Sequence, residues 1–210
     1  KRPACRAAID VSGNGDFLLV IEDPVACRFV SQLDGIDEAD AIRAVEGLAT
    51  MHAQYWEDPA IQASDALYPF STWADIYPPA IETGWPLYEA HFSYVIDDDL
   101  MPYFEAGNEA SAAIFNFFAE SRPKTLLHGD ARMENVCFDL VTGAPRMYDW
   151  QLASTGPAAW DLCYFFASSL GETEWPELGE RCIEAYFKKL TEEGVANYSE
   201  ADLRRDLQIA

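Results

Sequence analysis

Long apolar runs, paired cysteines and histidine clusters are all missing from this sequence of 210 residues. No apolar run reaches the roughly 18 residues that a membrane-spanning helix requires, so no membrane partner is expected. The five cysteines are widely separated and form no CxxC pair, which argues against a zinc site and against a disulfide framework. Reduced, mostly buried thiols in a cytoplasmic protein are the expectation.

Basic residues are also scarce. The chain has 14 Lys and Arg against 36 Asp and Glu, a net charge of −22, so a nucleic acid would be repelled. The charge is uneven, because residues 121–150 hold four basic and four acidic residues and the remaining chain carries the whole excess. This neutral segment is a suitable place for an anion beside a metal ion, although chance in a short window is the alternative.

The residues that are present predict a folded protein, since half are apolar and 13% are aromatic. Residues 4–11 and 17–21 predict a β-hairpin around the glycine-containing loop SGNGD. The second strand, FLLVI, is a continuous apolar run, which is typical of a strand covered on both faces. Residues 56–104 lack a sustained period and are interpreted as short helices and loops that form a cap or wall.

Helical patterns account for most of the remaining chain. A helix of about four turns is predicted after Asp37, and in it His52 is expected to pack rather than to bind a ligand. A second hairpin is expected from the segments 136–138 and 145–148. Further helices are predicted at about 106–121, at 157–170 with an almost wholly apolar surface, at about 177–190, and from Ser199 onward, where SEAD matches a capping box.

The stretch LLHGDARMENVCFD, residues 126–139, concentrates the chemistry. It contains the pattern H-x-D-x-x-x-x-N, formed by His128, Asp130 and Asn135, and the following hairpin leads to Asp149. Phosphoryl transfer requires a carboxylate that orients or accepts the proton of an attacking hydroxyl, and oxygen ligands that hold magnesium on a triphosphate. A single loop supplies the carboxylate of Asp130 and one metal ligand, Asn135. The hairpin that follows can bring Asp149 to the same metal ion.

Several motifs together extend this pattern. HGDARMEN, MYDWQ and GPAAWDLCYF, preceded by LLVIED and LATMHA, resemble the aminoglycoside phosphotransferase-like branch of the protein-kinase-like fold, a group of small-molecule kinases. The resemblance implies an α+β fold with a mostly helical C-terminal lobe. Residues 1–23 would be the end of the N-lobe sheet and the hinge, and residues 24–210 the C-lobe with a catalytic loop at 128–135 and a substrate cap at about 56–104.

The resemblance also implies roles for individual residues. Asp130 would be the catalytic base, and Asn135 and Asp149 would be the magnesium ligands. Arg132 stands where protein kinases carry a lysine near the transferred phosphate. His128 would support the loop structurally.

Two further positions follow from the hinge motif, and one from a helix. The resemblance implies that Ile21 and Asp23 contact adenine through their backbone. Asp161 lies inside an otherwise apolar or small helix, where a buried carboxylate is costly unless it is paired or hydrogen-bonded. In the family the equivalent aspartate accepts hydrogen bonds from the catalytic loop, so Asp161 is expected to support the site rather than to react.

The predicted function is an ATP- and Mg²⁺-dependent kinase of a small-molecule hydroxyl, and the acidic surface would suit a cationic substrate. The alternative is a non-catalytic relative that binds a nucleotide or another ligand. Hydrolases are disfavoured because the sequence has no HxH or HExxH pair and no GxSxG motif. The chain is shorter than the family fold and lacks most of the N-terminal lobe, which suggests the larger lobe of a longer protein or a shortened chain.

Overall fold

The structure is a computed structural model that describes residues 4–10, 17–31, 35–120, 123–171 and 175–210. It has the predicted α+β composition. The helices of the described residues are α1 (Glu38–Gln54), α2 (Pro59–Gln62), α3 (Ser71–Phe92), α4 (Met101–Glu120), α5 (Ala158–Ser169), α6 (Glu180–Glu192) and α7 (Glu200–Ile209). The strands are β1 (Cys5–Asp10), β2 (Phe17–Ile21), β3 (Cys27–Phe29), β4 (Tyr68–Pro69), β5 (Thr125–Leu127), β6 (Val136–Asp139), β7 (Pro145–Met147) and β8 (Ser154–Gly156).

The described strands form three small sheets. Strands β1 and β2 form an antiparallel hairpin, whose predicted loop at 12–16 lies outside the described residues. Strand β6 lies between β3 and β7 and is antiparallel to both. Strand β8 pairs in parallel with β4 and antiparallel with β5. The second and third sheets therefore flank the loop that joins β5 to β6.

The main core lies where α1 packs on α6 and α5. Helix α1 begins at its cap, Asp37, whose side chain accepts a hydrogen bond of 2.8 Å from the backbone of Asp40. The apolar face that the spacing predicted is buried, and it includes Val45 and Leu48. Helix α7 begins at Ser199 with the predicted capping box, completed by Asp202. Local sequence signals therefore set the start of both helices.

A second, aromatic core lies beneath α3 and α4. It consists of five buried residues, Phe70, Trp73, Phe115, Phe118 and Leu127. Strand β8 approaches it so closely that a Cβ at Gly156 would lie 2.5 Å from the ring of Phe70. This cluster joins the α3–α4 pair to strand β5, which leads into the polar loop.

The prediction that FLLVI is covered on both faces was wrong. Every residue of β2 is exposed, from Phe17 at 76% to Ile21 at 40%. The physical reason is that β2 pairs with β1 alone in the described structure, and a two-stranded hairpin offers no layer to cover either face.

The interpretation of residues 56–104 as short helices and loops was also wrong in part. Helix α3 has 22 residues and contains Pro78, Pro79 and Pro86, and α4 begins at Met101, five residues before its predicted start. Proline inside a helix removes a hydrogen bond and costs about 3 kcal/mol. The prolines therefore argued against one long helix in this segment, although such a helix forms. Packing between α3 and α4 supports it.

Two further expectations can be compared with the described structure. All five cysteines are free, but only Cys137 and Cys182 are buried, while Cys5 is exposed and the other two are half-buried. Among the described helices, none has both the length and the apolar character that crossing a membrane would require.

Candidate active site

The polar loop lies between strands of two different sheets. Strand β5 leads into it, and a 3₁₀ turn, Met133–Asn135, ends it at the start of β6. Gly129 adopts a φ of +82°, and a Cβ there would lie 2.2 Å from the carbonyl oxygen of Leu152. Because only glycine tolerates both the conformation and the contact, Gly129 sets the close approach of the loop to the segment after β7.

His128 joins the two halves of the site. It is fully buried, and its Nε2 lies 2.7 Å from the carbonyl oxygen of Tyr148. A carbonyl oxygen only accepts, so Nε2 carries the proton, and the unprotonated Nδ1 accepts the backbone N–H of Asp130 at 3.3 Å. The ring also packs on Trp150, with centroids 4.7 Å apart. His128 thus links the loop to the residues on both sides of Asp149.

Asp130 is the central carboxylate of the site. It is buried, and its Oδ2 accepts a hydrogen bond of 2.8 Å from the side-chain amide of Asn135. Its Oδ1 lies 3.5 Å from Nε of Arg132, which is closer to an ion pair than to a hydrogen bond. Arg132 also pairs with Glu134 at 3.4 Å. The structure therefore brings Asp130, Arg132 and Asn135 into mutual contact.

Two tyrosines that the sequence reading missed also face Asp130. Burial, together with a hydrogen bond to Asp130 and the negative charge of its carboxylate, raises the pKa of Tyr164 above its ordinary value. Burial and the charge of Asp130 likewise raise the pKa of Tyr77. Tyr164 could have been found from the sequence, because it follows Asp161 by three residues on α5 and so shares its face. Tyr77 lies on α3, where no pattern pointed to it.

Asp161 is fully buried, and three donors satisfy its carboxylate. Oδ2 accepts the backbone N–H of His128 at 2.7 Å, and Oδ1 accepts that of Gly129 at 2.9 Å. His52 Nε2 lies 3.2 Å from Oδ2. Burial alone would raise the pKa of Asp161, but the hydrogen bonds that it accepts from the His52 side chain and the His128 backbone outweigh this effect and hold the pKa below its ordinary value.

The network continues from Asp161 into the main core. His52 is fully buried, as expected of a packed helix residue, and its Nδ1 lies 2.7 Å from the hydroxyl of Tyr186. If Nε2 carries the proton toward Asp161, Nδ1 accepts from this hydroxyl. Burial and the charge of Asp161 raise the pKa of Tyr186 well above its ordinary value. Helices α1, α5 and α6 therefore hold the loop backbone through one buried chain of hydrogen bonds.

Asp149 has an unusual backbone conformation. Its φ is +58°, in the left-handed region that non-glycine residues rarely occupy, and its side chain is exposed. The preceding residue, Tyr148, donates its backbone N–H to the carbonyl of Asn135 at 2.8 Å, so the two chain segments are tied together. Strain of about 1–3 kcal/mol at such a residue persists only where the surroundings impose it, and it is frequent at functional sites.

The available donors suit a hard cation such as magnesium. Because the amide nitrogen of Asn135 bonds to Asp130, its amide oxygen faces away from Asp130. The carboxylate of Asp149 is exposed, and the residue before it, Tyr148, is hydrogen-bonded to the backbone of Asn135. No group of three or more His, Cys, Asp or Glu side chains that could hold a metal occurs in the described part of the chain. Magnesium does not require one, since it takes one or two protein oxygens together with phosphate oxygens.

Ile21 and Asp23 lie apart from these residues. Ile21 ends β2 and Asp23 follows it, and both are exposed. Within the described ranges, no hydrogen bond or ion pair joins either residue to the loop at 128–135. The segment approaches the site through β3, which pairs with β6, and through Glu22, whose carboxylate lies 3.9 Å from the guanidinium of Arg146 in β7.

Comparison with known proteins identifies the family of this chain. Residues 27–201 match the family described as APH: Phosphotransferase enzyme family. A search of curated proteins finds no match.

Solved structures show a related fold. The chain is similar to an aminoglycoside-3′-phosphotransferase of type VIII, with a TM-score of 0.61 and 15% identity over 99% of this chain and 72% of that one. It is similar to a choline/ethanolamine kinase family protein from Mesorhizobium loti, with a TM-score of 0.54 and 14% identity over 99% of this chain and 62% of the other. A macrolide 2′-phosphotransferase from Brachybacterium faecium has a TM-score of 0.52 and 17% identity, and the chain, all of which is covered, spans 63% of it.

The sequence match covers most of the chain, and the structural likeness covers nearly all of it. The resemblance read from HGDARMEN, MYDWQ and GPAAWDLCYF is therefore confirmed at the level of family and fold. This chain belongs to the phosphotransferase enzyme family and has a protein-kinase-like α+β fold.

Proposed function

We propose that this chain carries the catalytic residues of a kinase that transfers the γ-phosphoryl group of ATP, with Mg²⁺, to a hydroxyl group of a small molecule. Asp130 would accept the proton of that hydroxyl. Asn135 and Asp149 would hold the magnesium ion, which neutralises charge on the phosphates when it is bound. Residues 1–23 would form the end of the N-lobe sheet and the hinge, with Ile21 and Asp23 next to adenine.

The observation that carries this proposal is the environment of Asp130. Its carboxylate is buried, hydrogen-bonded by Asn135 and flanked by Arg132, on a loop whose backbone is anchored at His128 and Gly129. Catalysis of phosphoryl transfer is mostly positioning and electrostatic stabilisation, so a rigid carboxylate beside a cation suits the reaction. The Arg132 guanidinium would lie near the transferred phosphate, where a positive charge stabilises the transition state.

Supporting roles follow from the contacts of the two other predicted residues. His128 spans from the backbone of Asp130 to that of Tyr148, and Asp161 fixes the N–H groups that precede Asp130. Neither side chain needs to touch a substrate to act in this way. Both are proposed to hold Asp130 and Asp149 in a fixed position relative to each other.

Substitution of the two aspartates in the full-length protein tests the assignment. Asp130→Asn keeps the size of the side chain but removes the base, so transfer of labelled phosphate from ATP should fall by about 10²–10⁴-fold while ATP binding persists. Asp149→Asn should weaken ATP binding only when magnesium is present. Asp139→Asn, at the start of the hairpin loop, is the control and should retain activity.

Two results would contradict the proposal. Normal turnover by the Asp130→Asn protein would exclude that residue as the base. If the parent protein bound ATP but transferred phosphate to no member of a broad panel of alcohols, the non-catalytic alternative would be favoured instead.

A further inference from the structure

Helix α5 contacts the polar loop at two points. In its first turn, Asp161 accepts the backbone N–H groups of His128 and Gly129, at the beginning of the loop. At its last residue, Ser169, the side-chain Oγ accepts the backbone N–H of Met133 at 3.0 Å, near the end of the loop. Asp161 and Ser169 are eight positions apart, which corresponds to about 12 Å along a helix. One helix therefore holds both ends of the loop, and the function proposed above draws on the first contact only.

The N–H group of Met133 depends on this second contact because solvent is excluded from it. Met133 is 1% exposed and Ser169 is 7% exposed, so both partners are shielded from water. A buried N–H group without an acceptor loses its hydrogen bond to water and gains none in return, which destabilises the conformation that buries it. The hydroxyl of Ser169 therefore favours the backbone arrangement in which Met133 donates to it.

The hydroxyl of Ser169 is itself held by its neighbour. Ser168 Oγ lies 2.6 Å from the carbonyl oxygen of Tyr164 and 3.4 Å from that of Phe165. Carbonyl oxygens only accept, so Ser168 donates to the helix backbone, and its Oγ, 3.3 Å from that of Ser169, can accept the Ser169 proton. Donation thus runs from Met133 to Ser169 and on to Ser168. In this order Ser169 presents an acceptor to the loop.

The residue that Ser169 holds begins the 3₁₀ turn that ends at Asn135. In this segment the backbone of Arg132 donates to the carbonyl of Asp130 and accepts from the N–H of Asn135, both at 2.9 Å. The side-chain nitrogen of Asn135 donates to the carbonyl and to the carboxylate of Asp130, at 2.9 and 2.8 Å. Both amide protons of Asn135 are used in this way, so its amide oxygen is the group that can face a cation. The direction of that oxygen therefore depends on the turn.

We propose that Ser169 is a positioning residue for phosphoryl transfer: by fixing the start of the 3₁₀ turn, it sets the direction in which Asn135 presents its amide oxygen to magnesium. This inference rests on the proposed kinase function and adds a residue to it. In this role Ser169 touches neither substrate nor metal, because it acts through the backbone of Met133. Asp161 fixes where the loop begins, and Ser169 fixes how the loop delivers the proposed metal ligand.

The first test requires neither nucleotide nor turnover. Amide hydrogen exchange of the 210-residue chain, followed by NMR, compares the parent with Ser169→Ala. The N–H of Met133 should exchange at least about tenfold faster in the variant, because it loses its acceptor. The N–H groups of His128 and Gly129, which Asp161 holds, should exchange at the parent rate. They separate a local loss from a general loss of stability.

The second test determines whether this local change reaches the proposed metal site. Isothermal titration calorimetry of the full-length protein with ATP is carried out with and without magnesium, and the ratio of the two affinities measures what magnesium contributes. Ser169→Ala should reduce that ratio by about tenfold and leave the affinity without magnesium unchanged. A variant that was only less folded would bind fewer equivalents of ATP, with both affinities unchanged.

Two further variants make the comparison specific. Ser111→Ala is the matched control, because Ser111 on α4 is also 7% exposed and its hydroxyl donates to a carbonyl of its own helix, that of Asn108. This variant should match the parent within about twofold in both tests. Ser169→Cys keeps nearly the size of serine, but sulfur is a weak acceptor, so it should behave like Ser169→Ala. It replaces Ser169→Ala if that protein does not fold.

Several results would overturn the inference. An unchanged exchange rate at Met133, or equal acceleration at Met133, His128 and Gly129, would show that Ser169 does not hold the turn specifically. Faster exchange at Met133 alone, with an unchanged contribution of magnesium to ATP binding, would restrict Ser169 to a structural role. An effect of Ser111→Ala as large as that of Ser169→Ala would also contradict positioning. If magnesium had no effect on ATP binding by the parent, the proposed function would fail instead, and the exchange test alone would decide whether Ser169 holds the turn.

Discussion

The polar loop at 128–135 and the hairpin of β1 and β2 differ in how much support each receives from the rest of the chain. Helix α5 supplies side-chain partners to the loop, since Asp161 accepts two of its backbone N–H groups and Ser169 accepts a third. His52 of α1 in turn contacts Asp161. The hairpin's contacts are mainly those between its own two strands. All five residues of its strand β2 are exposed although all five are apolar.

The difference shows that burial here depends on partners from distant parts of the chain. A polar loop can be largely buried when its backbone groups find hydrogen-bond partners. An apolar strand can remain exposed when no second layer faces it. Substitutions that are equivalent in chemistry should therefore have very different effects in the two regions.

The largest effect is expected from loss of the carboxylate that holds the loop. Asp161→Ala leaves the N–H groups of His128 and Gly129 and the ring of His52 without their acceptor in a fully buried site. We expect the free energy of unfolding to fall by about 3–5 kcal/mol, measured by urea denaturation. Glu105→Gln, on the exposed face of α4, is the control. A loss under 1 kcal/mol for Asp161→Ala would show that the network does not stabilise the fold.

A matched pair of leucines compares the two regions directly. Leu127 precedes the loop and is fully buried, whereas Leu19 in β2 is 51% exposed. Leu127→Ala should destabilise the chain by about 2–5 kcal/mol because it leaves a cavity in the aromatic core. Leu19→Ala should change stability by less than about 0.5 kcal/mol, as at other exposed positions. Equal losses for the two variants would mean that β2 is covered in solution.

A matched pair of glycines probes the loop backbone. Gly129→Ala places a Cβ against the backbone of Leu152 at a φ of +82°, so a cost of at least about 1–2 kcal/mol is expected, with a loss of catalytic activity. Gly107 lies in α4 with open space around it, and Gly107→Ala should stabilise the chain by about 0.5–1 kcal/mol. Thermal denaturation measures both. Stabilisation by both substitutions would contradict the close approach at Gly129.

The smallest effect concerns Asp139, which ends β6 at the margin of the buried region. Backbone N–H groups of Thr142 and Val141, with the Arg146 guanidinium, lower its pKa from 3.8 to about 2. Because the folded pKa is the lower one, the stabilisation is complete above about pH 4 and is lost as the pH falls toward 2. Carbon-13 NMR of the carboxyl group measures the pKa. The thermal midpoints of the parent and of Asp139→Asn should converge over that range, and a constant difference would contradict the assignment.

Much of the fold could be predicted because its signals are local. Asp37 and Ser199 mark helix starts through their own side chains, and the helical spacing around Val45 and Leu48 predicted a buried face. Strands β4 and β8 were missed because segments of two and three residues have no periodicity to detect and, unlike β7, neither belongs to a hairpin. Helix α3 was missed because its three prolines oppose a helix that packing against α4 supports.

The candidate site, like the fold, could be predicted from the sequence only where its signals are local. The spacing of His128, Asp130 and Asn135 placed these residues on one loop, and an acid in an apolar helix indicated that Asp161 needs donors. The identity of the third partner could not be read from the sequence, since His52 lies 109 residues from Asp161. Nor could Tyr77 be found, because its approach to Asp130 depends on how α3 packs.

The sequence by itself determined the family, the α+β class, the starts of α1, α5 and α7, and the order of the polar residues along the loop. These properties depend on side chains within a few residues of one another, where caps, periodicity and spacing act. The tertiary structure alone decided which apolar segments are buried and which groups satisfy Asp161. Those properties arise from contacts between residues far apart in the chain, and the free energy of burying or pairing a group depends on what the fold places around it.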